Sequence, residues 1–192
     1  MWATTLWHHG LPLVQWGVTC GASALAAVID ARTRRIPNWI TGPTFLAGMI
    51  WSCWMGGWAG GADALVAGLA LALPYVLLFA FAGGGAGDAK LMAAVGAWLG
   101  LINGGVALFA VALCGVVLGL VYAAIRKQSR ASLVNAWWLA LSLLASLMQR
   151  RTANAAGAPP AARATVPYGV AICAGVIVAA IGVGYWRSVA HA

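Results

Sequence analysis

Long apolar runs separated by short polar or glycine-rich breaks organise this chain. Runs at 13–30, 39–55 and 64–81 each approach the roughly 20 residues that an α-helix needs to cross a hydrocarbon core about 30 Å thick. A fourth run, 90–125, would extend about 54 Å as one helix, too far for a single crossing. The turn signal Asn103-Gly104-Gly105 predicts that it divides there into two helices, the first of them short. A last run at 166–186 opens with Pro167, which suits a first helical turn because its missing N–H has no helical partner there.

The stretch 132–149 is apolar and long enough to cross, yet Ser132, Asn135, Ser142, Ser146 and Gln149 share one helical stripe, as in a helix lying flat at the interface. Positive charge decides between the two arrangements. With the helix flat, Arg126, Lys127, Arg130, Arg150, Arg151 and Arg163 stay on the side of Arg32, Arg34 and Arg35, as the positive-inside tendency favours. The expected architecture is therefore an all-α, polytopic membrane protein with about six transmembrane helices and both termini outside. The whole chain, 1–192, reads as one integral-membrane domain without internal repeats. Residues 126–165 form a cytoplasmic connection within it, containing the interfacial helix and the Ala/Gly/Pro-rich stretch 153–162. The N-terminus lacks the basic region, apolar core and small-residue cleavage site of a removable signal, so the first span is expected to be retained.

Composition agrees with a membrane assignment: 63% hydrophobic residues, 7% charged residues and a mean hydropathy of +0.90 do not describe a water-soluble domain. The net charge of +8 falls in short loops between apolar runs, where it orients the protein and meets anionic membrane lipid. No nucleic-acid partner is expected. Cys20, Cys53, Cys114 and Cys173 lie singly in apolar segments without Cys-x-x-Cys spacing, and read as small buried hydrophobes.

Against this background the three acidic residues stand out, since an ionisable group at membrane depth is costly and marks a functional site by default. Asp30 ends the first span and Asp88 begins the fourth, with two whole helices between them, so parity puts both on one face. The adjoining Arg32, Arg34 and Arg35 name that face as cytoplasmic. Asp63 falls in the opposite loop and reads as a helix N-cap after Gly60-Gly61. Two facing aspartates can hydrolyse a peptide. Like charges a few ångströms apart cannot both ionise, so the pair shares a proton. The charged member deprotonates a water, and the neutral one protonates the leaving group. The pair titrates as a unit, so neither aspartate is singled out as the base. No metal or cofactor is needed.

The glycines of Gly83-Gly84-Gly85-Ala86-Gly87 let a substrate strand approach closely. Asp88 then begins a helix whose dipole favours a carboxylate, with Lys90 nearby. These residues resemble the type IV prepilin peptidases, within the wider group of intramembrane aspartyl proteases bearing a Gly-x-Gly-Asp signature. Asp30-Ala-Arg-Thr-Arg-Arg-Ile-Pro-Asn38 is similar to the first aspartate motif and Gly85-Ala-Gly-Asp-Ala-Lys-Leu91 to the second. Val166-Pro-Tyr-Gly-Val-Ala-Ile172 resembles the segment entering the last helix.

The resemblance implies an aspartic-type endopeptidase of the bacterial inner membrane, with Asp30 and Asp88 as its catalytic pair. Its substrate would be a prepilin or pseudopilin, cut at the cytoplasmic face after a glycine that precedes the apolar helix. Pilus-assembly machinery is an implied partner. The chain lacks the large insertion with paired cysteines found between the first two helices of longer members, and so looks like the short Tad/Flp type. Nothing in it supplies an S-adenosylmethionine motif.

Supporting roles fall to Gly85, Gly87, Lys90, Pro37, Asn38 and Tyr168. Pro37 and Asn38 close a loop and cap the second helix. Lys90 either orients Asp88 or anchors at the interface, and Tyr168 either faces the site or joins the aromatic belt, as Trp39, Trp137, Trp138 and Trp186 do. His8, His9 and His191 read as terminal residues rather than metal ligands. A proton- or ion-coupled transporter using the aspartates as a relay would place them near mid-membrane, whereas these stand at helix ends. A non-catalytic pilus-assembly scaffold would tolerate loss of either aspartate, and both are present. A presenilin-like protease would carry a Pro-Ala-Leu element near its last helices, which is absent.

Overall fold

A computed structural model describes residues 12–82, 85–125 and 168–190, and among them every regular element is helical. The elements are α1 (Pro12–Thr33), α2 (Asn38–Ala82), α3 (Ala86–Ile125) and α4 (Tyr168–Ala190). All four are long and apolar enough to cross a membrane. The protein is an all-α, multi-pass membrane protein. By its internal contacts the chain forms two units. Residues 1–116 and 167–192 make the first, which carries the aspartates. Of the second, 117–166, the described part is the end of α3. The expected interfacial helix at 132–149, the stretch 153–162, Trp137, Trp138, the three histidines and the arginines and lysine between 126 and 163 lie outside the described residues.

At 45 residues, α2 would run about 68 Å if straight, more than twice a hydrocarbon thickness. It does not run straight. Gly57 has φ 58° and ψ −149°, a conformation open essentially to glycine alone. Beyond it Gly60 packs on the Ser52 carbonyl and Gly61 on the Cys53 sulfur. In an unbroken helix, residues eight apart stand about 12 Å apart along the axis, so these contacts mean that the chain doubles back at Gly57. Gly100 does the same for α3, with φ 69° and ψ −177°, and it brings Gly104 against Gly96.

The four elements thus contain six helical arms. The first break falls where the apolar pattern predicted one. The second comes three residues before the expected Asn103-Gly104-Gly105, because Gly104 serves packing instead, lying against Leu71.

The short arm 86–99, about 21 Å long, is the centre of the fold. Leu91, Met92, Ala94, Val95, Ala97, Trp98 and Leu99 are all buried, as expected of a helix apolar on every side. Within lipid, leaving the acyl chains for another helix brings no hydrophobic gain, so close van der Waals contact between small residues holds such helices together. Gly48 accordingly sits against Ala97 and Trp98, Gly68 against Ala93, and Gly96 against the Ala67 backbone. Polar groups fasten the same arms. The Ser52 hydroxyl donates to the Ala97 carbonyl at 3.0 Å, and Trp98 Nε1 donates to the Thr44 carbonyl at 2.8 Å. Buried Thr19 returns its hydroxyl to the Gln15 carbonyl at 2.9 Å, so that donor does not face the apolar interior unpaired. The helix α4 packs along α1, and Gly175 meets the Val111 backbone of α3.

Two expectations change. Asp63 is not an N-cap, because the second arm of α2 already begins after Gly57, and its carboxylate lies against Gly100. The cysteines are not uniformly buried: Cys53 is exposed and Cys20, Cys114 and Cys173 are half-buried, since apolar positions on a lipid-facing helix need no protein cover. The tryptophans divide. Trp39 and Trp186 are exposed near helix ends, whereas Trp16 and Trp98 belong to the interior.

Candidate active site

The end of α1 is built around Asp30. The Arg34 N–H donates to the Asp30 carbonyl at 2.8 Å, and Arg34 itself has φ 53°, the left-handed residue that commonly terminates a helix. The chain therefore turns away at Arg34, one helical turn after Asp30, and leads through Ile36 and Pro37 into α2. The Pro37 carbonyl accepts from the Ile40 N–H at 3.1 Å, which opens that helix. Asp88 lies in the first turn of α3, where helix N–H groups favour a carboxylate. Its own N–H donates to the Gly85 carbonyl at 3.2 Å.

These two helix ends meet in a cleft of about 300 Å³ lined by Asp30, Asp88, Arg34, Arg35, Asn38 and Lys90, with Ile36 and 85–87 completing its wall. The two carboxylates are close enough to interact electrostatically. Asp30 is only 7% exposed, while Asp88 is half-buried. The Gly169 N–H at the start of α4 donates to Asp30 Oδ2 at 2.9 Å. That bond ties the carboxylate to a helix remote in sequence. Close packing sets the other wall: a Cβ on Gly87 would stand 2.8 Å from Ile36 Cβ, so the turn after α1 rests directly on the glycine motif.

Gly85, Gly87, Asn38 and Lys90 line the cleft with the aspartates. Pro37 shapes the loop without lining the cleft. Lys90 reaches across to the start of α2. Its Nζ donates to Asn38 Oδ1 at 2.9 Å, which joins the two aspartate motifs and engages the oxygen anticipated to cap α2. Tyr168 stands behind the cleft, edge-on to Tyr75 with ring centroids 6.2 Å apart and planes at 73°. Both rings lie within electrostatic range of Asp88. Gly83 and Gly84 lie outside the described residues.

Sequence reasoning missed Tyr75 and gave Gly169 no role. A tyrosine within an otherwise apolar run, whose hydroxyl must find a polar neighbour, is the signal that pointed to Tyr75. Nothing local marks a backbone N–H as a carboxylate donor.

The chain is an all-helical membrane protein that gathers two carboxylates in one cleft at its helix ends. Residues 17–124 match the type IV leader peptidase family, and the chain belongs to that family. Over 149 residues it is 34% identical to a prepilin leader peptidase/N-methyltransferase of Pectobacterium carotovorum subsp. carotovorum. That match covers 72% of this chain and 52% of the relative, so the chain spans about half the length of the curated relative it matches. No solved structure matches it significantly.

Proposed function

We propose that this protein is an aspartic-type endopeptidase that removes the leader peptide of a type IV prepilin of the Flp kind, at the cytoplasmic face of a bacterial inner membrane. The observation that carries the reading is the shared cleft of Asp30 and Asp88, in a chain of the type IV leader peptidase family. One carboxylate takes a proton from a water held between the two. That water adds to the scissile carbonyl, and the protonated carboxyl then delivers a proton to the departing amine. No covalent intermediate with the enzyme forms.

The Gly169 N–H on Asp30 Oδ2 fixes one oxygen of the pair and leaves the other for water. Arg34 and Arg35 stand beside anionic lipid at the mouth of the cleft, which orients the site to the cytoplasm. Pilus-assembly machinery is the expected setting for such an enzyme.

The test is co-expression of a Flp-type prepilin with the wild type, Asp30→Asn and Asp88→Asn proteins, followed by N-terminal sequencing of the product. Cleavage after the leader glycine by the wild type, lost in both variants at equal membrane abundance, is the expected result. Equal processing by the variants would remove the carboxylate mechanism.

A further inference from the structure

A second cavity adjoins the catalytic cleft and has the opposite chemistry. It is a groove of about 350 Å³ lined by Asn38, Thr41, Gly42, Phe45, Lys90 and Ala93. The first four recur at i, i+3, i+4 and i+7, one face of the first arm of α2. Lys90 and Ala93 supply the facing wall from α3. Asn38 and Lys90 line both cavities, and the 2.9 Å hydrogen bond between them forms the partition. On one side stand Asp30, Asp88, Arg34 and Arg35. On the other, beyond the partition, none of the described lining residues is charged.

The groove is open yet firmly walled. A Cβ on Gly42 would meet nothing within 4 Å, whereas the Phe45 ring edge rests on Gly68 of the second α2 arm, 3.1 Å from where a Cβ there would sit. Glycine and alanine on facing walls let another helix approach closely, the contact that lipid-embedded helices use. A polypeptide lying across the partition would keep its polar part beside the aspartates and its apolar part against Gly42, Phe45 and Ala93.

We propose that this groove holds the apolar segment of the substrate next to the scissile bond, as a helix face laid into a groove, with the Asn38–Lys90 pair marking where the substrate passes from cleft to groove. The inference rests on the peptidase reading and deepens it. Recognition of the apolar segment then fixes which peptide bond reaches the carboxylates, because the distance from partition to cleft is set by the fold.

The open space over Gly42 provides the test. Gly42→Leu puts a branched side chain into the groove from a position where an added Cβ meets nothing, and Gly182→Leu, at an equally open position on α4, is the control. Purified proteins are compared on full-length prepilin and on a truncated form that keeps the leader and the first few residues after the scissile bond but lacks the rest of the apolar segment. Gly42→Leu is expected to slow the full-length substrate, relative to the truncated one, by about tenfold or more, and Gly182→Leu to leave the ratio at its wild-type value. An unchanged ratio for Gly42→Leu, or equal loss on both substrates, overturns the groove assignment.

A photo-cross-linking residue at position 42 of the Asp30→Asn protein reads occupancy without turnover. An adduct with prepilin is expected, and adducts with lipid alone overturn the proposal. An adduct at position 42 together with a wild type that cleaves neither substrate sinks the peptidase reading and leaves the docking site standing.

Discussion

The Gly169 N–H donates to Asp30 Oδ2 at 2.9 Å across 139 positions of sequence, and the backbone of α4 thereby holds one member of the acidic pair. Because the donor is a main-chain group, its position depends on how closely α4 approaches α1. A Cβ at residue 169 would stand 3.0 Å from both Asp30 Cβ and Oδ2, and neither helix can yield without displacing the carboxylate. Gly169→Ala is therefore expected to lower prepilin cleavage by about tenfold or more, since a shift of even a few tenths of an ångström moves the carboxylate, while the protein still inserts and purifies. Cleavage rate beside thermal stability in detergent checks this, and full activity in the alanine variant would show that Asp30 needs no such tether.

The Asn38–Lys90 hydrogen bond joins residues on two helices at an exposed edge. Water competes for such a bond, so its contribution to stability is expected to be small. Asn38→Ala, Lys90→Met and the double variant, compared by denaturant unfolding, should give a coupling of about 0.5–1.5 kcal/mol. Additive single effects would mean that the two side chains act independently.

Helix contacts in the centre leave no room for side chains. A Cβ on Gly96 would lie 2.6 Å from the Ala67 carbonyl oxygen, with the Ala67 carbonyl carbon and Gly68 nitrogen almost as near. All three are backbone atoms that cannot rotate aside. Gly96→Ala is expected to destabilise the fold by about 1–3 kcal/mol. Gly182→Ala, with nothing within 4 Å, should instead be neutral or stabilising by up to about 1 kcal/mol through helix propensity. Unfolding of both variants in mixed micelles measures the contrast.

Gly57 and Gly100 are the two hinges of the hairpins, and both have backbone angles that L side chains avoid. Gly57→Ala meets no neighbour, so its cost is conformational strain alone, of order 1–3 kcal/mol. Gly100→Ala adds a collision with the Asp63 carboxylate and is expected to be the worse of the two. Asp63→Ala combined with Gly100→Ala should recover the excess, which a double-mutant cycle reads directly.

Much of this architecture was legible because membranes restrict what a chain can do. Apolar runs long enough to span lipid must be helices, since no water remains to satisfy the backbone, and that alone dictates the all-α class and the spans near α1, α2 and α4. The aspartates were legible for a related reason: in a chain with three acids, Asp30 and Asp88 have few structural explanations. The second hairpin was less legible, because Gly100 and Asn103-Gly104-Gly105 both carry turn signals. Only the packing of Gly104 on Leu71 and Gly96 decides which glycine bends and which fills a tight contact.

The sequence by itself determined the helical class, the family-bearing motifs and the two carboxylates, because hydropathy and ionisation cost are local properties that each residue carries with it. Tertiary structure alone decided that Gly169 donates to Asp30, that Tyr75 stands behind Asp88 with Tyr168, that Lys90 turns to Asn38, and that an apolar groove shares a wall with the cleft. Each of these depends on the distance between helices far apart in sequence. That distance is set by which small residues meet across the interfaces, a collective result that no single stretch of the chain contains.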